Sequence, residues 1–145
     1  MSEGSKMTGI IEAGNTTTEV TLRYSDMDAM GHLNNAVYAT LFEAGRVDYL
    51  NHVLMDFTPE GAGYVIVKLT IDFKTEARYP GIAVIKTRIV RVGGSSMTYT
   101  QDIVIGGKVV ATAESICALF HLTRRKAMRC PEALRMRIAQ FNADA

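Results

Sequence analysis

The 145-residue sequence predicts an α+β domain in which an antiparallel sheet of five strands curls around one central helix. Three observations carry this. One alternating strand precedes a single long helical stretch, four further strands follow it, and the breaks between those four are turn signals whose tight connections make antiparallel neighbours. A chain of this length reads as one domain, large enough to bury a core without disulfides or a structural metal.

Residues 1–16 are polar, glycine-containing and without period, and are expected to form a disordered tail before a single domain at 17–145. From Thr18 to Tyr24, T-E-V-T-L-R-Y alternates as a half-buried strand, with Val20, Leu22 and Tyr24 on one face. A polar loop, S-D-M-D-A-M-G-H-L-N-N, leads into A-V-Y-A-T-L-F-E-A-G-R-V-D-Y-L-N-H-V-L. There Tyr38, Leu41, Phe42, Gly45 and Tyr49 recur at helical spacing, with Asn34 or Asn35 as N-cap. Gly45 weakens a helix interior relative to alanine, which points to close approach of a sheet.

After Pro59-Glu60-Gly61 the pattern gives strands at Gly63 to Lys74, Ile82 to Val92, Met97 to Ile105 and Lys108 to Leu122. They are separated by Tyr79-Pro80-Gly81, Gly93-Gly94 and Gly106-Gly107, the last suiting a two-residue hairpin, and together are expected to form a meander. A short helix, Pro131 to Phe141, opens on proline.

The composition excludes several function classes. A net charge of +1 gives no global field toward nucleic acid or an anionic membrane. The apolar runs fall short of the roughly 20 residues that span a bilayer, and the N-terminus lacks a basic start and apolar core, so a cytoplasmic location is expected. Two cysteines, Cys117 and Cys130, form no disulfide framework and are too few for structural zinc; no cofactor is expected. Cys117, in S-I-C-A-L-F, reads as a buried, inert thiol.

The informative segment is Tyr24 to Arg46, Y-S-D-M-D-A-M-G-H-L-N-N-A-V-Y-A-T-L-F-E-A-G-R. It sets two aspartates, a glycine, a histidine and two asparagines at the opening of the helix. Unpaired backbone N–H groups there favour an anion or a developing oxyanion. On their own, Asp26 and Asp28 are equally readable as Asx turns, and Asn34 and Asn35 as caps.

This segment resembles the 4-hydroxybenzoyl-CoA thioesterase family of hot-dog proteins, whose pattern runs aromatic-x-D-x-D-x-x-G-H-[VL]-N-N-x-x-Y. Looser resemblance extends from Thr18 to about Phe141, including I-D-F-K-T-E-A-R-Y-P-G, V-G-G-S-S-M-T-Y-T-Q and R-C-P-E-A-L-R. The resemblance implies an acyl-CoA thioesterase with Asp28 as the catalytic carboxylate, either nucleophile or general base, and a backbone N–H near Asn35 polarising the thioester carbonyl. Gly31 belongs to the motif, His32 is expected beside the site, and Asp26 is assigned to turn geometry.

Acyl-CoA is the expected substrate and partner, and its phosphates require cations. Arg88, Arg91, Lys108, Arg124, Arg125 and Lys126 are available, with Arg124 and Arg125 in the densest basic run, against the plainer reading of a solvated strand end. Ser95 and Ser96 match the family segment that touches nucleotide or pantetheine, and Asn34 is counted with them. Glu43 and Arg46 are spaced to pair with each other. Met27, Met30 and Leu33 are either acyl-channel lining or core filler.

Plant-type acyl-carrier-protein thioesterases of similar pattern carry asparagine where this chain has Met30, a departure that counts against a carrier-protein substrate. A catalytically silent acyl-CoA-binding module is the alternative from another class. A dehydratase would need a histidine elsewhere on the scaffold. Apolar positions on the outer sheet face, Ile66, Val84 and Val90 or their alternating neighbours, predict a homo-oligomer, a dimer or a tetramer.

Overall fold

The computed structural model describes residues 5–7 and 14–143, with side chains from residue 14 onward. The central helix α1 spans Asn35–Tyr49 and starts where Asn34, in extended conformation, accepts a hydrogen bond from Ala36 N at 3.0 Å. This satisfies one of the donors that a helix start leaves open. Tyr38, Leu41, Phe42, Gly45 and Tyr49 form its buried stripe, as their spacing requires. A Cβ on Gly45 would meet Thr87 Oγ1 at 2.6 Å, Ile85 Cγ2 at 2.7 Å and Gln101 Nε2 at 2.8 Å. Only glycine lets the helix backbone sit this close to the sheet.

Gln101 stitches that contact. Its buried amide donates to Phe42 O at 2.8 Å and to Thr87 Oγ1 at 2.9 Å, and Arg46 Nη1 donates to its Oε1 at 3.3 Å. Arg46 therefore turns toward the sheet, and the expected ion pair with exposed Glu43 is absent among the described residues.

The strands are β1 (Ser5–Met7), β2 (Thr16–Thr21), β3 (Ala62–Phe73), β4 (Ile82–Val92), β5 (Ser96–Ile105), β6 (Lys108–His121) and β7 (Lys126–Ala127); α2 covers Glu132–Ala143. All described pairings are antiparallel, in the order β1-β2-β4-β5-β6-β3, with β7 on β6. The five principal strands are those the pattern predicts, and the sheet curls around α1 as a hot-dog fold. The cores on either side of Gly45 are built around Phe42, Ile85 and Ile103 toward one end of α1 and around Tyr49, Met97 and Leu119 toward the other.

Three expectations need correction. The four strands after the helix are not one meander: β3 lies at the sheet edge against β6, and the chain crosses back to β4 through residues 74–81. Tyr79-Pro80-Gly81 ends that crossover instead of making a tight hairpin, because turn residues bend the chain without choosing the strand it returns to. Tyr24 leaves the first strand's buried face: it begins a 3-10 turn and is 80% exposed, whereas Val20 and Leu22 are buried. Within 1–16, Ser5–Met7 pairs with β2, and Thr16 is buried in β2; residues 1–4 and 8–13 of the expected tail lie outside the described residues.

The turn at Gly106-Gly107 has φ of 60° and 79°, the left-handed geometry of a two-residue hairpin that glycine adopts without steric cost. No described helix is long and apolar enough to cross a membrane.

Candidate active site

The loop between β2 and α1 is folded by its own aspartates. Asp26 is buried, and its carboxylate accepts from Arg23 N at 2.7 Å and from Arg23 Nη2 at 2.8 Å. Burial alone would raise its pKa; the hydrogen bonds and charge of Arg23 outweigh that and hold it below the ordinary carboxylate value. Its carbonyl accepts Asn34 N at 2.9 Å, which ties it to the helix cap. Asp26 is thus a structural residue, as the turn assignment has it.

Asp28 is exposed. Its Oδ1 accepts two main-chain donors, Met30 N at 2.9 Å and His32 N at 3.0 Å, and its own N–H donates to His32 O at 2.7 Å. The clamp requires the reversal at Gly31, whose φ is +78°, a left-handed conformation that favours glycine. Asp28 Oδ2 and the Asn35 N–H carry no hydrogen bond among the described residues. One oxygen of the carboxylate is anchored, and the other is open.

Asp28, His32 and Asn35 line one cleft of about 300 Å³, floored by Leu33, Tyr38 and Phe73 and rimmed by Lys74, Thr75 and Glu76. Burial raises the pKa of the Tyr38 phenol, which keeps it neutral. A second hollow of about 280 Å³ shares Asp28 and is bounded by Met27, Gly31 and the edge-to-face pair Tyr24 and Tyr79. Of the proposed channel residues, Leu33 is core, Met27 is half-buried and Met30 projects into solvent.

The connector supplies the groups that the sequence pattern missed. Leu33 N donates to Ala77 O at 2.8 Å, so residues 74–81 lie alongside the loop. Glu76 and Arg78 reach His32, whose ring meets these two groups while its backbone meets Asp28. Nothing local in T-E-A-R-Y-P-G marks Glu76, because its place depends on the crossover.

The expected CoA contacts stand elsewhere. Ser95, Ser96 and Arg91 lie at the β4–β5 turn, at the end of β4 away from the loop, and Arg124 and Arg125 sit beyond His121. His121 pairs with Ala62, the far end of β3 from the cleft residue Phe73. At about 3.3 Å per residue that is on the order of 35 Å along the strand. Within one chain these residues do not join Asp28. The Ser95 turn is nonetheless organised: Arg135 Nη2 contacts Gly93 O, Cys130 N donates to Gly94 O at 2.8 Å, and Leu119 N donates to Ser95 O at 2.9 Å. The N–H groups of Gly94 and Ser95 stay open among the described residues. Cys117 and Cys130 are buried free thiols, both with raised pKa from burial.

A curled antiparallel sheet around one long central helix is the architecture of the hot-dog thioesterases. The chain belongs to the thioesterase-like superfamily, whose family model matches residues 22–138. It is 31% identical over 88 residues to the acyl-CoA thioester hydrolase YbgC of Escherichia coli O6:H1, a match covering 59% of this chain and 66% of that protein. The chain thus spans just under two thirds of that relative's length. It is 26% identical over 128 residues to the long-chain acyl-CoA thioesterase FadM of Escherichia coli K12, covering 86% and 97%. Among solved structures, a predicted thioesterase from Bacillus stearothermophilus superposes with a TM-score of 0.80 at 27% identity, covering 88% of this chain and 96% of that one. The DHNA-CoA thioesterase of Staphylococcus aureus superposes at 0.78 with 23% identity, covering 90% and 95%, and shares the fold.

Proposed function

We propose that this protein hydrolyses an acyl-CoA thioester to the free acid and CoA, with Asp28 as the reacting carboxylate. The observation that carries the reading is the clamp: Asp28 Oδ1 is fixed by two N–H donors, Oδ2 is open, and Asn35, whose N–H is unbonded, lines the same cleft. The acyl-CoA activities named for the two curated relatives supply the substrate class.

In this reading the thioester carbonyl oxygen takes the Asn35 N–H, where the helix dipole favours the charge that develops in the tetrahedral intermediate. Asp28 Oδ2 then acts in one of two ways. As nucleophile it bonds to the carbonyl carbon, the C–S bond breaks, the thiolate leaves and takes up a proton, and water cleaves the resulting anhydride. As general base it takes a proton from water, whose oxygen bonds to the carbon, and the leaving thiolate recovers a proton. Single turnover in ¹⁸O-water tests for the anhydride: label in Asp28 establishes it, opened by attack on the aspartyl carbonyl, whereas label in the product acid alone fits both direct attack on the substrate and opening of the anhydride at its acyl carbonyl. The decisive test of the function is thiol release from an acyl-CoA panel by the wild type and by Asp28→Asn. CoA binding with no thiol release from any member would establish the silent binding module instead.

The site is completed by a second copy in this proposal. β3 is an edge strand carrying exposed Ile66, Val67 and Phe73. Antiparallel pairing of two β3 edges sets the Ala62 end of one copy beside the Phe73 end of the other, so that Ser95, Arg91, Arg124 and Arg125 of a second copy approach the Asp28 cleft. The open N–H groups at Gly94 and Ser95 and the nearby guanidinium groups suit the phosphates of CoA. A cytoplasmic location accompanies this reading, since both cysteines are free thiols.

A further inference from the structure

The ring of His32 meets two groups at once: Nε2 lies 3.1 Å from Glu76 Oε2 and 2.8 Å from Arg78 Nη2, with Arg78 Nη2 3.7 Å from Glu76 Oε2. Arginine only donates, so a bare Nε2 accepts from Arg78, whereas a protonated Nε2 donates to Glu76. In either state the ring is held by the connector. Because Ala77 O also accepts Leu33 N, three successive connector residues grip two successive loop residues, His32 and Leu33. His32 is in turn the residue whose backbone closes on Asp28 from both sides, through His32 N to Oδ1 and Asp28 N to His32 O. The charged groups around the ring are Glu76 and Arg78 from the connector and Asp28 from its own loop, with Lys74 on the rim of the same cleft.

We propose that Glu76 is a positioning residue: by holding the His32 ring, with Arg78, it fixes the backbone that aims the open oxygen of Asp28. This rests on the reading of Asp28 as the reacting carboxylate. Glu76 is 65% exposed on its side chain and packs in neither core, so its removal leaves folding intact. What it controls is the register of a five-residue loop whose clamp consists of exposed hydrogen bonds, the kind that opens locally at little cost.

The test is amide hydrogen exchange and steady-state kinetics on the full-length protein, in wild type, Glu76→Ala, Glu76→Gln and Asp28→Asn. In Glu76→Ala, the Met30 and His32 amides exchange at least about threefold faster, while amides of β5 keep their rates. With an acyl-CoA substrate, kcat falls by about three- to tenfold and KM moves by less than about twofold, since misalignment weakens the transition state and leaves remote binding alone. Glu76→Gln, whose amide oxygen still accepts from Nε2–H, falls between wild type and Glu76→Ala. Unchanged exchange of the Met30 and His32 amides in Glu76→Ala overturns the positioning role, as does faster exchange without any change in kcat. The parent reading fails separately: Asp28→Asn with near wild-type kcat removes Asp28 from the chemistry, whatever Glu76 does to the loop.

Discussion

Asp26 and Asp28 stand two residues apart and hold their carboxylates in opposite environments: that of Asp26 is buried on Arg23, and that of Asp28 is exposed on the Met30 and His32 N–H groups. Substitution to asparagine should therefore separate chemistry from scaffolding. Asp28→Asn is expected to lower kcat by at least about 100-fold, the scale for losing a general base or nucleophile, with oligomeric state and CoA binding retained. Steady-state assay with one acyl-CoA, beside a CoA-binding measurement, checks it; a near wild-type kcat refutes the assignment.

Asp26→Asn is expected to cost stability, by about 1–3 kcal/mol, and far less kcat, because it removes the charge from a buried hydrogen-bonded carboxylate. The pH dependence has a definite sign. Arg23 holds the folded-state pKa of Asp26 below its unfolded value of about 3.9. The stabilisation is therefore fully present above that value and is lost as pH falls through the folded-state pKa. Urea melts at pH 7 and below pH 4 should show the difference between wild type and Asp26→Asn shrinking with acidification; a constant difference would contradict the pairing.

Gly45→Ala probes the closest helix–sheet contact. With Thr87 Oγ1, Ile85 Cγ2 and Gln101 Nε2 all within 2.8 Å of the added carbon, the helix must lift from β4 and strain the Gln101 bridge. The expected loss is about 1–3 kcal/mol by overpacking, enough to outweigh alanine's better helix propensity. Thermal melts that show Gly45→Ala at or above wild-type stability would mean that the contact is looser than these distances.

Charge reversal at Arg124 and Arg125 is expected to raise KM for acyl-CoA more than it lowers kcat, because phosphate contacts remote from the reacting bond act alike on ground and transition states. Both side chains are exposed, so stability should hardly move. An unchanged KM assigns the run to a solvated strand end.

Val67 lies on the β3 edge, 61% exposed, at the irregularity in its pairing with β6. Val67→Lys places a charge where a second β3 would pair and is expected to shift the protein toward monomer in light scattering, with loss of activity if the site needs both copies. A wild type that is already monomeric at micromolar concentration refutes the two-copy site.

The features legible in residue order are local ones. Alternation places four of the five principal strands to within one residue at each end and the first to within three, and the spacing of Tyr38, Phe42, Gly45 and Tyr49 marks both the helix and its contact with the sheet. The loop was legible for the same reason: Asn34 caps the helix beside it, Gly31 turns within it, and Asp28 closes on donors two and four residues away. Tertiary structure alone decided which strands are neighbours, since a turn signal such as Tyr79-Pro80-Gly81 bends the chain without specifying its partner on return. That choice put β3 at the sheet edge and carried Glu76 and Arg78 to His32, more than 40 residues away in sequence. It also kept Ser95, Arg91, Arg124 and Arg125 at the far end from Asp28, and it turned Arg46 from Glu43 to Gln101. Each of these depends on pairing between distant segments, and residue spacing carries no record of that.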